Sequence, residues 1–171
     1  GLPKLNRVPE SALVVGGGAI GCEFASIFNA LGIPVTVVHS GERLLGNMDS
    51  ELSDLLRKTF EKQGMRIVLG TGVQTAGRVN GELQVTLKTG EVLRPGISLI
   101  ATGRLVNTEG LGLDAAGVKL NPRGLVEVDN HFQTSIEGVY AAGDVIGPSL
   151  ASISAEQGRV AACHAFGLGF K

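Results

Sequence analysis

Along the first hundred residues the hydrophobic positions change period several times, and each change marks an element. Leu13-Val14-Val15 is a short apolar run without alternation, the pattern of a strand buried on both faces. From Ala19 to Leu31 the apolar residues Ile20, Phe24, Ile27, Phe28 and Leu31 predict a helix with one apolar stripe, and Gly32 stands where it stops. Pro34 then precedes a second strand, Val35-Thr36-Val37-Val38. Asp49 is placed to cap a second helix with Leu52, Leu55, Leu56 and Phe60 on its apolar face and Gly64 at its end; Met65–Leu69 reads as a third strand.

Between Val73 and Leu93 the period falls to two. The segments Val73–Val79, Leu83–Leu87 and Val92-Leu93 are separated by Asn80-Gly81 and Thr89-Gly90, which are hairpin turns, so an antiparallel meander stands where a crossover helix is expected. Ile97–Ala101 returns as a buried strand and runs into Thr102-Gly103-Arg104. Beyond it come a glycine-rich connection over Asn107–Asn121, short strands at Val126–Val128 and Val139–Ala141, and a helix over Ala151–Phe166 after Pro148. This last third has few apolar residues for a core of its own and reads as part of a domain whose remainder is elsewhere.

Gly16-Gly17-Gly18-Ala19-Ile20-Gly21 lies between the first strand and the first helix. Gly16 permits a sharp turn, Gly18 leaves no side chain where a pyrophosphate approaches the backbone, and Gly21 lets the helix lie close to the sheet. The free amides and positive dipole end of that helix face the phosphates. Glycines also gather in ordinary turns, but the strand before and the helix and strand after complete a βαβ unit, which makes dinucleotide binding the reading. The tip of the second strand selects the nucleotide: an acid there holds the ribose 2′-OH of NAD and repels the 2′-phosphate of NADP. Here it carries His39, followed by Ser40, Gly41, Glu42 and Arg43. His39 alone reads as a solvated loop residue; with Ser40 and Arg43 it points to tolerance of the 2′-phosphate.

Composition narrows the remaining classes. With 43% hydrophobic and 18% charged residues, 171 residues suffice for one or two domains with a real core. A net charge of −1 offers nothing to steer the chain to nucleic acid or a membrane surface. No signal peptide, bilayer-length apolar run or low-complexity tract is present, so a soluble, cytoplasmic protein is expected. Cys22 and Cys163 read as buried or spare thiols; Cys22 lies at a helix N-terminus, which lowers a thiol pKa, but under a covered turn. His39, His131 and His164 show no ligand spacing, and no catalytic residue or metal ligand is assigned.

Three segments, Val14–Glu23, Ala101-Thr102-Gly103-Arg104 and Tyr140–Val145, resemble in order and spacing the pyridine nucleotide-disulfide oxidoreductase family, flavoproteins that bind two dinucleotides. Gly21–Phe28, Asn107–Leu113 and Ser149–Ser152 look most like its transhydrogenase branch, with the dihydrolipoamide dehydrogenase type next. The resemblance implies an α/β fold, a Rossmann-like parallel sheet with an antiparallel β-meander crossover, followed by a partial FAD-domain segment. It places an NAD(P)-binding domain over 1–104, with its core at about 12–101, and the returning segment of an incomplete FAD-binding domain over 105–171.

The implied ligands are NAD(P) for this chain and FAD for a full-length, homodimeric parent that moves hydride between NAD(H) and NADP(H). By resemblance Glu23 lies beside the nicotinamide and Asp144, after Gly143, binds the ribityl chain of FAD; a helix-surface acid and a turn residue are their ordinary readings. Ala19, next to Ile20, stands where several relatives carry a Tyr that covers the flavin. The family's own N-terminal FAD loop, redox-active cysteine pair and interface domain with a His-Glu pair do not occur, so the expectation is a piece that binds nicotinamide nucleotide without turnover. A Rossmann sensor without enzymatic activity is the alternative of a different class; it leaves Tyr140–Asp144 without a purpose.

Overall fold

Alternation along a single strand organises the first part of the molecule. In the computed structural model, which describes residues 8–169, β1 (Ala12–Val15) is buried along its whole length. It pairs in parallel with β2 (Val35–Val38) on one side and with β7 (Ile97–Ile100) on the other, and β2 pairs in parallel with β3 (Arg66–Val68), giving the order β3-β2-β1-β7. Ala12 and Val14 point to one face, where they pack with Cys22, Ala25 and Phe28 of helix α1 (Ala19–Ala30) and Phe60 of helix α2 (Ser50–Lys62). Leu13 and Val15 point to the other and meet Val85 and Leu87 of β5 (Glu82–Leu87). Leu13 is 1% and Val14 0% exposed, and each such side chain contributes about 2 kcal/mol of burial.

The strand β5 belongs to a separate antiparallel sheet, β4 (Val73–Val79), β5 and β6 (Val92–Leu93), which forms the third layer and the crossover to β7. Its first turn carries Asn80 at φ 51° and Gly81 at φ 86°, the double left-handed geometry that matches strand twist. The expected meander is therefore the fold.

Several burial expectations fail. Ile27 and Leu31 are 50% and 67% exposed, and Leu52 and Leu55 are 58% and 62% exposed. A helix lying on a sheet covers only one stripe, and in α1 that stripe holds Gly21, Cys22, Ala25 and Phe28, while in α2 it holds Ser53, Leu56 and Phe60. The strand β7 is an edge, half-buried rather than buried, with Ile100 at 64% exposure.

Contacts divide the chain into two units, Gly1–Gly103 and Arg104–Lys171. The outer limits of the two expected domains, residues 1 and 171, lie outside the described residues. In the second unit a 3-10 turn, Gly143–Val145, is followed by α3 (Ala151–Ala165). The strands expected at Val126–Val128 and Val139–Ala141 are only single bridges, Leu120 to Val126 and Gln133 to Tyr140. The Val126 amide turns to the Val145 carbonyl at 2.9 Å, while Ala141 donates to Phe132 at 3.0 Å within the Gln133–Tyr140 bridge, which extends no further. The apolar side chains buried there are Val118, Leu125, Val126 and Ala161. Among the described residues no helix is long and apolar enough to cross a membrane.

Candidate functional site

The glycine loop after β1 is shaped by what its missing side chains would strike. Gly16 has φ 122° and donates its amide to the Val38 carbonyl at 2.8 Å; a Cβ there would fall on the Ala101 carbonyl oxygen. At Gly21 a Cβ would strike the Gly16 carbonyl oxygen, so α1 leans against the loop at van der Waals limit. Gly18 differs from both. It is exposed and a Cβ would meet nothing within 4 Å, so its lack of a side chain leaves open space rather than relieving a clash.

That space lies at the head of α1. Gly18 is its N-cap and supplies no side chain to the first amides, and the first turn holds no acid. In α2 the same position is filled: Asp49 accepts the Glu51 amide at 2.8 Å and Glu51 adds a negative charge to the first turn. The contrast leaves α1 with free donors and an uncompensated positive dipole end, the chemistry of an anion site.

Two further glycines fix the tip of β2. A Cβ on Gly17 would lie 2.7 Å from His39 Cγ and 2.9 Å from Leu44 Cδ2, and one on Gly41 would lie 2.7 Å from His39 Nε2. The imidazole thus occupies a slot that only glycines leave free. His39 is half-buried there rather than solvated, while Ser40 and Arg43 are exposed and Arg43 forms no ion pair among the described residues. The slot was not legible in sequence, because Gly17 is a variable position of the glycine pattern and its partner ring comes from another strand. Ala19 and Glu23 are exposed on α1, Ile20 is half-buried, and Thr102 and Gly103 are exposed after β7.

Cys22 is 6% exposed and its thiol reaches the Gly17 carbonyl at 3.6 Å. Burial first, and the adjacent Glu23 second, push its pKa up to about 11. Desolvation therefore overrides the lowering effect of the helix N-terminus.

In the second unit Arg104 donates to Asp144 at 3.2 Å, and Asp144 also accepts the Ser149 amide at 3.1 Å. Gly143, at φ 81°, donates its amide to Gln157 Oε1 of α3 at 2.8 Å. Sequence spacing gave no sign that His131 and His164 would meet, yet their rings stack at 4.4 Å and the Tyr140 hydroxyl lies 2.8 Å from His164 Nδ1. Asp129 accepts the Gln133 and His131 amides, which hold its carboxyl below the usual range. This knot ties the 129–133 turn to the end of α3. Among the described residues no three His, Cys, Asp or Glu side chains gather as a metal site.

The sequence profile described as pyridine nucleotide-disulphide oxidoreductase matches residues 2–158. The soluble pyridine nucleotide transhydrogenase of Hahella chejuensis is 42% identical over 159 residues, covering 92% of this chain and 34% of that protein. The protein of the same name from Yersinia enterocolitica is 42% identical over 161 residues, covering 93% and 34%. Among solved structures, LpdA from Mycobacterium tuberculosis superposes with a TM-score of 0.90 at 36% identity, covering 98% of this chain and 37% of that one. The HOCl-induced flavoprotein disulfide reductase RclA from Escherichia coli gives 0.90 at 30% identity, covering 98% and 39%. The chain spans about a third of the length of the relatives it matches. A glycine loop of this geometry, a meander crossover and a profile match over most of the sequence agree: the chain belongs to the pyridine nucleotide-disulphide oxidoreductase family.

Proposed function

We propose that the unit Gly1–Gly103 is a nicotinamide dinucleotide-binding domain. In this reading the chain is the NAD(P)-binding part of an FAD-dependent enzyme that passes hydride between NAD(H) and NADP(H). The observation that carries the reading is the open head of α1: an exposed Gly18 with free space above it and no capping or acidic side chain to compete for the amides. Gly16 and Gly21 hold the loop close to β7 and α1, and the pyrophosphate binds against Gly18, Ala19 and Ile20. Bound flavin supplies the hydride acceptor; the chain supplies the position of the nicotinamide, with Glu23 beside it and the small Ala19 leaving its face uncovered. His39, Ser40 and Arg43 receive the adenine ribose, and Thr102 and Gly103 line the return from β7. In the second unit Gly143, Asp144 and Arg104 form the contact to the flavin side chain.

The relatives named transhydrogenases support hydride exchange between two nucleotides. A disulfide reductase of the RclA or dihydrolipoamide type is the second reading, favoured by the flavoprotein disulfide reductase among the structural neighbours.

Replacement of Gly18 by Val tests the site. Gly18 has ordinary extended backbone, φ −79° and ψ −178°, and open space, so the variant folds. Calorimetric titration with NADH and NADPH should show affinity reduced by about 100-fold or more as the phosphate loses its charge-assisted donors. Unchanged affinity in a folded Gly18→Val chain would reduce the glycines to a turn.

A further inference from the structure

The turn between β5 and β6 carries Lys88, a residue no motif singles out, and the backbone stitches it to the tip of β2. Gly70 donates to the Gly41 carbonyl at 3.0 Å, Thr71 to the His39 carbonyl at 3.3 Å, and Lys88 to the Gly72 carbonyl at 2.9 Å. Gly70-Thr71-Gly72 is therefore bonded on one side to the His39–Gly41 loop and on the other to Lys88. Side chains follow: a Cβ built on Gly72 would have Lys88 Cε at 3.8 Å and Ser40 Cβ at 4.0 Å as its nearest neighbours, so the lysine stem and Ser40 close around one point. Lys88 is exposed and forms no ion pair among the described residues. The acid nearest to it in sequence, Glu91, is taken by Arg66 through two hydrogen bonds of 2.6 and 2.8 Å, which hold the Glu91 carboxyl below its ordinary range.

Side chains from two elements thus meet at the strand tip, His39 in its glycine slot and Lys88 from the meander, and Arg43 is exposed in the loop that follows. Glu42 is the one acid in the 39–43 loop. Adenine ribose is held at this tip in dinucleotide folds, and an acid there excludes a 2′-phosphate. We propose that Lys88 binds the 2′-phosphate of NADP(H), making the meander turn a specificity element of the dinucleotide site. The inference rests on the dinucleotide reading above. An ammonium on a flexible stem suits an exposed phosphate monoester, which it meets as a point charge without fixed geometry.

The test is calorimetric titration of the 171-residue chain and its Lys88→Ala and Lys88→Arg variants with NADPH and NADH, and with adenosine 2′,5′-bisphosphate and ADP as minimal probes. Lys88→Ala should weaken NADPH and the 2′,5′-bisphosphate by about tenfold, and NADH and ADP by less than about twofold; Lys88→Arg should recover most of the loss. Added salt should narrow the difference between the two nucleotides. Equal weakening of both nucleotides, or no weakening of either, would overturn the role of Lys88. A wild-type chain that binds NADH and rejects NADPH would also overturn it and leave the dinucleotide reading standing. A wild-type chain that binds neither would overturn both.

Discussion

Cys22 shows how strongly local environment decides at the residue scale. A thiol at the head of a helix next to free amides has the setting of a reactive cysteine, but this one is packed against β1 and keeps its proton. The folded-state pKa, about 11, lies above the unfolded value of 9.0, so the fold favours the protonated form. Its contribution to stability is complete below pH 9.0 and is lost as pH rises through about 11. Denaturant midpoints measured across that interval should fall for the wild type and fall less for Cys22→Ala. Parallel curves would place the alkaline loss on other groups. The glycines divide similarly at this scale. The close packing at Gly16 and Gly21 and the open space at Gly18 were legible from spacing, because a strand-loop-helix turn imposes the same three demands wherever it occurs. Those of Gly17 and Gly41 were not, since what forbids a side chain there is the ring of His39, a contact set by tertiary packing.

Among the elements, the caps and turns were the more legible and the exposed faces the less. Asp49 caps α2, Asn80-Gly81 makes the hairpin and Gly64 ends α2 at φ 88°, each through a local backbone requirement visible in a few residues. Asp49→Ala should therefore cost about 1 kcal/mol in urea unfolding, with Asp49→Asn largely neutral. A full loss in the Asn variant would assign the effect to charge rather than to the cap bond. The faces were misread because apolar residues at helical spacing say which stripe is hydrophobic, not how wide a stripe the sheet can cover. In α2 the buried stripe includes Ser53, whose hydroxyl is bonded to the Asp49 carbonyl at 3.1 Å, while Leu52 and Leu55 remain outside. The strands expected in the second unit stop at single bridges, because each segment meets its antiparallel neighbour over only one residue pair.

For the whole molecule, one Gly16–Gly21 loop of the proposed dinucleotide site is present in a chain that spans about a third of its relatives. Asp144, the acid by which resemblance implies a flavin contact, already takes Arg104 and the Ser149 amide. The purified 171-residue chain should accordingly lack a stoichiometric flavin absorption band while still binding added nicotinamide dinucleotide. A stoichiometric flavin band would show that the second unit holds the cofactor with the contacts it has.

Strand order has a consequence for how this protein comes into being on the ribosome. The strand β1 is flanked by β2, which follows it directly, and by β7, whose approach is marked by the Gly96 amide on Ser11 Oγ, 85 residues apart in sequence. The β3-β2-β1 half and the local meander can pair as soon as they emerge, since their contacts are close in sequence. The socket of Gly16 has its far wall at Ala101, the residue that follows β7. The glycine loop precedes in sequence the wall that completes it, so a nascent polypeptide stalled before Ala101 carries every glycine of the motif and lacks the wall that gives the first of them its shape.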